Sequence, residues 1–285
     1  GVIKDYNSLK KHLTNFSKDP KIKLSLLDMN YEFYLKFREY LVYDAIKPDK
    51  TKGLAVNTVG KQFKNLKVFL RDCMKRGIIP YMDLSIFKTE SEDVDSIYLS
   101  EKEIQKLWEL DLIAQPRLER IRDLFIVGCE TGLRFSDFSS LQSENIKGNF
   151  IRKRTSKTHK NVVVPISSLL QKVLDKYENQ LPNNIYLQEF NSRIKQIGEL
   201  AGINENILLE KKQGNQKISK RIKKFELISS HTCRRSFCTN QFYRGMPILL
   251  IRKISGHKSE SAFFKYIKVN EETAAMKLLS LWEQD

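Results

Sequence analysis

The sequence predicts a mainly α-helical chain with small β-hairpins: a helical region over residues 1–88, a linker over 89–97 and an α+β region over 98–285. Three observations predict it. Apolar residues recur every three or four positions through most of the 285 residues. Only four short segments, all in the second region, look like strands. Between the two regions lies KTESEDVDSI, residues 88–97, polar, acidic and without periodicity.

In the first region, Tyr31–Tyr43 carries apolar residues at 31, 34, 35, 37, 41 and 42, which predicts a helix. A second helix is predicted from about Asn57, read as its N-cap, to Arg76, with Gly77 as the stop signal. Its apolar positions include Val59, Phe63, Leu66, Leu70 and Met74. Beside them Lys61, Lys64, Lys67, Arg71 and Lys75 form a basic stripe. A solvated helix face explains such a stripe; combined with the charge of the chain, a face against phosphates explains it better.

The second region opens at Ser100, with Glu103 three residues on, the pattern of a capping box. Arg117–Thr131 is apolar-periodic and ends at Gly132. Residues 149–154 and 161–166 read as two strands joined by a polar turn. Helices are predicted at about 167–178 and 189–201, and a basic pair of strands over 206–228 around Gly214. Further helices are predicted over 231–244, 247–255 and 259–268. A last one over about 271–283 has apolar residues spaced to pack on its own domain or on a neighbouring copy.

Lys and Arg number 50 against 34 Asp and Glu, a net charge of +16. Residues 1–95 hold 18 basic and 13 acidic residues, and residues 96–285 hold 32 and 21. Both regions therefore suit a polyanion, nucleic acid first. Cys73, Cys129, Cys233 and Cys238 form no CxxC pair, so reduced, mostly buried thiols of a cytoplasmic protein are expected. No signal peptide and no apolar run near 18 residues is present, which excludes a membrane-spanning helix.

Six residues in the second region carry candidate chemistry. Arg134 follows Gly132 in TGLRFSDFSSL, just after a predicted sharp turn. Lys157, followed by Lys160, lies near the tip of the first hairpin. His231 and Arg234 in SSHTCRRSF share a helix face near a helix start, where backbone N–H groups favour anions; Arg235 points elsewhere, towards a DNA backbone or an acidic neighbour. His257 follows Gly256 in ISGHKSESAFFKYIKV, and Tyr266 follows nine residues later. Taken singly, each has an ordinary alternative: a surface arginine, a solvated turn lysine, a capping histidine, a half-buried core tyrosine.

Together, TGLR, a lysine in a β-turn, HTCR, SGH and then Tyr266 resemble the signature of the tyrosine recombinase family, the lambda-type integrases of phages and conjugative transposons. The resemblance covers essentially the whole chain and rests on five separate segments in the family's order. It implies a helical, SAM-like core-binding domain over 1–88 and a catalytic domain over 98–285. It implies metal-independent cleavage and rejoining of double-stranded DNA through a 3′-phosphotyrosine, with no cofactor.

In that reading Tyr266 attacks, Arg134, Arg234, His231 and His257 hold the phosphate, Lys157 is the general acid, and Asp137 supports the site. Lys61, Lys64, Arg71, Lys75, Lys160 and Arg235 are the expected DNA contacts. The resemblance also implies a tetramer on paired recombination sites, integration or excision of a mobile element, and host DNA-bending and directionality factors as possible partners. No further N-terminal domain for arm-type sites is evident before residue 98. The strands at 206–228 exceed the minimal fold and suggest an added DNA-contacting hairpin or a plain surface insertion. A DNA-binding regulator without strand transfer, a type IB topoisomerase and a metal nuclease are the rival readings; the intact set, the helical first region and the missing ligand cluster weigh against them in turn.

Overall fold

The computed structural model describes residues 2–92, 96–182, 185–213, 216–257 and 259–267, together with 275, 279 and 282. They form two compact units, one of residues 1–95 with 208–220, the other of 96–207 with 221–285. No helix among the described residues is long and apolar enough to cross a membrane.

The first unit contains α1 (Val2–Phe16), α2 (Tyr31–Glu39) and α3 (Val56–Lys75). Asn30 caps α2 by accepting from the Phe33 N–H at 3.0 Å. The helix then widens into a π-turn over Tyr40–Asp44, so the predicted helix over 31–43 is recovered with a looser last turn. The core is aromatic: Phe37, Phe63 and Phe87 are fully buried, and the Tyr34 and Phe63 rings lie 4.9 Å apart.

The start of α3 differs from expectation. Ala55, not Asn57, is the N-cap. The Asn57 amide instead pairs with the Glu92 backbone, donating to its carbonyl at 2.9 Å and accepting its N–H at 3.0 Å. A side chain committed to a distant backbone is not available to cap its own helix.

The second unit contains α4 (Glu101–Trp108), α5 (Pro116–Thr131), α6 (Phe135–Phe138), β1 (Ile146–Lys147), β2 (Phe150–Arg154), β3 (Asn161–Pro165), α7 (Ser168–Lys176) and α8 (Leu187–Leu200). The strands β4 (Asn206–Gln213) and β5 (Gln216–Lys223) pair with each other, and α9 (Ser230–Tyr243), α10 (Ile248–Ser255) and α11 (Glu260–Phe264) follow. The capping box at Ser100 and Glu103 is present. The other sheet is antiparallel in the order β1-β2-β3, with Ile151 opposite Val164. The helix expected over 271–283 lies outside the described residues except at Ala275, Leu279 and Trp282. All four cysteines are free and buried, as expected.

Helix α5 is the centre of this unit: Ile121, Leu124, Phe125, Ile126 and Val127 are fully buried. It also buries an acid. Asp123, wholly inaccessible, accepts from Arg122 Nε at 2.5 Å, Lys176 Nζ at 2.7 Å and Tyr177 Oη at 2.8 Å. Arg122 in turn donates to the Trp108 carbonyl at 2.7 Å, at the end of α4. Removing the carboxylate takes a charged hydrogen-bond partner from Arg122, Lys176 and Tyr177, while Glu119 stays 2.7 Å from Lys176 and 3.6 Å from Arg122. Asp123→Ala is therefore expected to cost about 1.5–3 kcal/mol in urea unfolding.

Candidate active site

Two helix ends build the floor of the site. α5 stops at Gly132, which takes a left-handed conformation (φ 63°), and a Cβ there would lie 2.3 Å from the Phe237 ring. α10 stops at Gly256 (φ 69°), with the His257 N–H reaching back to the Arg252 carbonyl at 3.1 Å. Both ends aim carbonyl oxygens at the same buried side chain, Arg234 of α9. Its Nη1 donates to the Gly132 carbonyl at 2.8 Å and to the Ser255 carbonyl at 2.5 Å. The C-terminal ends of helices carry partial negative charge, so this is a favourable seat for a buried cation.

Arg234 is 1% exposed. Desolvation, followed by the nearby Arg134, pulls its pKa down to about 10, which still leaves it charged at neutral pH. Its Nε donates to His257 Nε2 at 3.1 Å, and His257 Nδ1 lies 2.8 Å from Ser255 Oγ. Nη2 has no partner among the described residues.

Arg134 follows Leu133 in extended conformation as the N-cap of α6, and its Nη1 is buried without a partner. Asp137, on the same short helix, is fully buried and accepts from the Ser156 N–H at 2.7 Å and the Ser156 hydroxyl at 2.8 Å. It thus anchors the β2–β3 turn one residue before Lys157. That turn is tied internally as well: Thr155 Oγ1 meets Thr158 Oγ1 at 2.7 Å, and His159 adopts positive φ (53°). Lys157 is exposed on this braced turn. Lys160 turns back and donates to the His257 carbonyl at 3.4 Å.

Tyr266 sits just past α11, its N–H bonded to the Phe263 carbonyl at 2.8 Å. Its hydroxyl is 3.5 Å from His231 Nδ1, and its ring is 4.8 Å from the His257 ring. The Arg234 guanidinium lies 5.4 Å from the ring centroid. Arg235, expected to point away, lies 5.9 Å from the same ring, with its Nε buried and unpartnered. The reason is the helix start: residues 234 and 235 of α9 straddle the tyrosine.

Both histidines are held neutral. His231 keeps an exposed edge, yet its pKa is lowered, first by desolvation and then by Arg235, Arg234, Arg134 and Lys157. Lys157 is placed by its turn, tied to Asp137 through Ser156 and to the His257 carbonyl through Lys160, and Arg134 by the short helix that carries Asp137. His257, buried, is pulled down to about 3 from an ordinary 6.5 by desolvation, then by Arg234 and Arg134. Between those two values the unfolded chain binds a proton that the folded chain refuses. Stability therefore falls as pH drops below about 6.5, by up to about 1.4 kcal/mol per pH unit for the one group. Urea midpoints measured between about pH 7 and 5 are expected to show this slope, and His257→Gln is expected to flatten it.

The site thus gathers Arg134, Lys157, His231, Arg234, His257 and Tyr266, with Asp137 behind the turn. Ser156, Ser255 and Thr155 were not singled out from sequence. The predicted contacts Lys61, Lys64, Arg71 and Lys75 belong to α3 of the other unit. Lys61 pairs with Asp5 at 2.7 Å, and Lys64, Arg71 and Lys75 are exposed. Arg71 and Lys75 line a hollow of about 700 Å³ with Met74, Tyr81 and Met82. Among the described residues, no three His, Cys, Asp or Glu side chains converge as metal ligands.

Comparison with known proteins gives the same architecture. The profile of the "Phage integrase family" matches residues 98–273, and that of the "Phage integrase SAM-like domain" matches residues 1–89. Tyrosine recombinase XerC of Oceanobacillus iheyensis is 25% identical over 236 residues, 77% of this chain and 72% of that protein. A lambda integrase dimer bound to a COC′ core site superposes with a TM-score of 0.65 at 14% identity, covering 92% of this chain and 87% of that one. The Tn1549 transposon integrase in complex with circular intermediate DNA gives 0.61 at 13% identity, covering 94% and 91%. With its family profile matched over more than half its length, the chain belongs to the phage integrase family, the tyrosine recombinases, which cleave and rejoin DNA at specific sites.

Proposed function

We propose that this chain breaks and rejoins DNA strands through a phosphodiester bound over Tyr266. One observation carries the reading. Three guanidinium nitrogens of the site, on Arg134 and on the Arg234 and Arg235 that flank the tyrosine, are buried and lack an acceptor among the described residues. Buried donors are ordinarily satisfied, and a non-bridging phosphate oxygen matches them in charge and geometry.

The tyrosine oxygen attacks phosphorus and the P–O5′ bond breaks. The phenol proton passes to neutral His231, whose Nδ1 already faces the hydroxyl. Arg134 and Arg234 neutralise the charge growing on the non-bridging oxygens. Lys157, on the turn braced by Asp137 and Ser156, protonates the leaving 5′-oxygen. The 3′-phosphotyrosine retains the bond energy, so a 5′-hydroxyl reverses the sequence and seals the strand. Residues 98–285 act as the catalytic domain and residues 1–88 as the core-binding domain, with Lys64, Arg71 and Lys75 against DNA phosphates. Lys160 meets the backbone beside the site. The chain works as a tetramer on two sites in the cytoplasm, in integration or excision of a mobile element, with host bending and directionality factors as accessory partners.

The test uses duplexes carrying a library of sequences with bridging 5′-oxygens replaced by sulfur, in the presence of EDTA. An SDS-resistant protein–DNA adduct is expected; tight, salt-sensitive binding without any adduct would contradict strand transfer. On the site so recovered, Lys157→Ala is expected to slow cleavage of the oxygen substrate by about 10²–10⁴-fold. The sulfur substrate, whose thiolate leaves without a proton, is expected to be cleaved at close to the unsubstituted protein's rate.

A further inference from the structure

The hydrogen bonds around Arg234 run in only one direction, and they end on a residue outside the six. A guanidinium in a protein keeps its protons, so Arg234 Nε is a donor. Its partner 3.1 Å away, His257 Nε2, must therefore be the bare, accepting nitrogen. Neutral His257 then carries its proton on Nδ1, which is 2.8 Å from Ser255 Oγ. For Ser255 to accept, its own proton must go elsewhere. It goes to the Ile251 carbonyl one turn back in α10, at 2.6 Å.

The opposite arrangement fails. If Ser255 donated to Nδ1, the imidazole proton would sit on Nε2, facing the Arg234 N–H donor to donor. Ser255, Arg234 and His257 are all buried, so no bulk water is at hand to relieve that clash.

We propose that Ser255 is a positioning residue: by accepting the Nδ1–H that Arg234 leaves on His257 it seats the imidazole, and the seated ring keeps Nε2 against Arg234 with Nη2 left for the anion. Ser255 acts on Arg234 twice, through its hydroxyl by way of His257 and through its own carbonyl, which accepts Nη1 at 2.5 Å. Only the hydroxyl is removable by substitution. The role of Nη2 rests on the recombinase reading; the tautomer does not.

The test compares Ser255→Thr with Ser255→Val. The two side chains have nearly the same shape, so any packing strain is common to both and the hydroxyl is the difference. Nitrogen-15 NMR of histidine-labelled protein, with His257 assigned by loss of its signals in His257→Gln, reads the tautomer directly. The unsubstituted protein and Ser255→Thr are expected to show a protonated Nδ1 and a bare Nε2. Ser255→Val is expected to keep the bare Nε2 that Arg234 requires but to lose the hydrogen bond at Nδ1, read as an upfield-shifted, faster-exchanging Nδ1 proton. Single-turnover cleavage of the sulfur-substituted duplex is expected to fall up to about 100-fold in Ser255→Val and to recover in Ser255→Thr.

A protonated Nε2 in the unsubstituted protein, or an unshifted Nδ1 proton in Ser255→Val, would overturn the proposal. A shifted Nδ1 proton with undiminished cleavage would overturn the link to Arg234. If the unsubstituted protein cleaves no duplex, the recombinase reading fails and the NMR comparison still decides the bond between Ser255 and His257.

Discussion

Tyr266→Phe is expected to fold, to bind DNA with undiminished affinity, and to give no covalent adduct. The substitution removes one oxygen. The ring keeps its packing against His257 at 4.8 Å and its place beside the Arg234 and Arg235 guanidinium groups. What is lost is the 3.5 Å approach to His231, a long contact that contributes little to stability. A change within about 1 kcal/mol in urea unfolding follows. Chemistry is another matter, because the one other hydroxyl beside a neutral histidine among the described residues of the site, that of Ser255, is buried and donates its proton to the Ile251 carbonyl. Gel-shift titration and SDS-resistant trapping on the same duplex separate the two effects. Residual adduct at more than a trace would move the nucleophile elsewhere.

Arg234→Lys is expected to lower cleavage by about 10³-fold or more while leaving the salt dependence of DNA binding nearly unchanged. The charge is conserved, so the number of counterions released on binding is conserved with it. The forked donor is not conserved. A lysine ammonium has three N–H groups and no rigid plane. It cannot serve the Gly132 carbonyl, the Ser255 carbonyl, His257 and an anion together. Losing one preorganised donor to a developing oxyanion typically costs 10²–10³ in rate, and here the remaining geometry loosens as well. Stability also falls, by about 1–3 kcal/mol for each buried carbonyl left unserved. Single-turnover rates and binding at several salt concentrations, on one duplex, read both halves of the prediction.

The parts of the fold that rest on local chemistry were legible in the sequence. Apolar spacing located α5, and Ser100 with Glu103 located the start of α4. The hairpin strands β2 and β3 fell within a residue of their expected bounds. Legibility failed where a side chain answered to a distant partner. Asn57 has the chemistry of an N-cap, but the Glu92 backbone claims it. Arg235 belongs to the tyrosine's surroundings only because of how α9 meets the turn after α11. The six site residues stood out because their order and local motifs agree with a family pattern. Their supports did not. Ser156 answers to Asp137, 19 residues away in sequence, and the function of Ser255 depends on the direction of hydrogen bonds across two helix ends. A serine carries no spacing that announces such a role.

The central claim is that Tyr266 becomes esterified to the 3′-phosphate of the cleaved strand. Protease digestion of the trapped adduct, followed by mass spectrometry of the linked peptide and end-labelling of the released DNA, tests it most directly. The expected product is a single peptide carrying the nucleotide on Tyr266, with a free 5′-thiol on the departing strand. A linkage through any other residue, or through a 5′-phosphate, would contradict it.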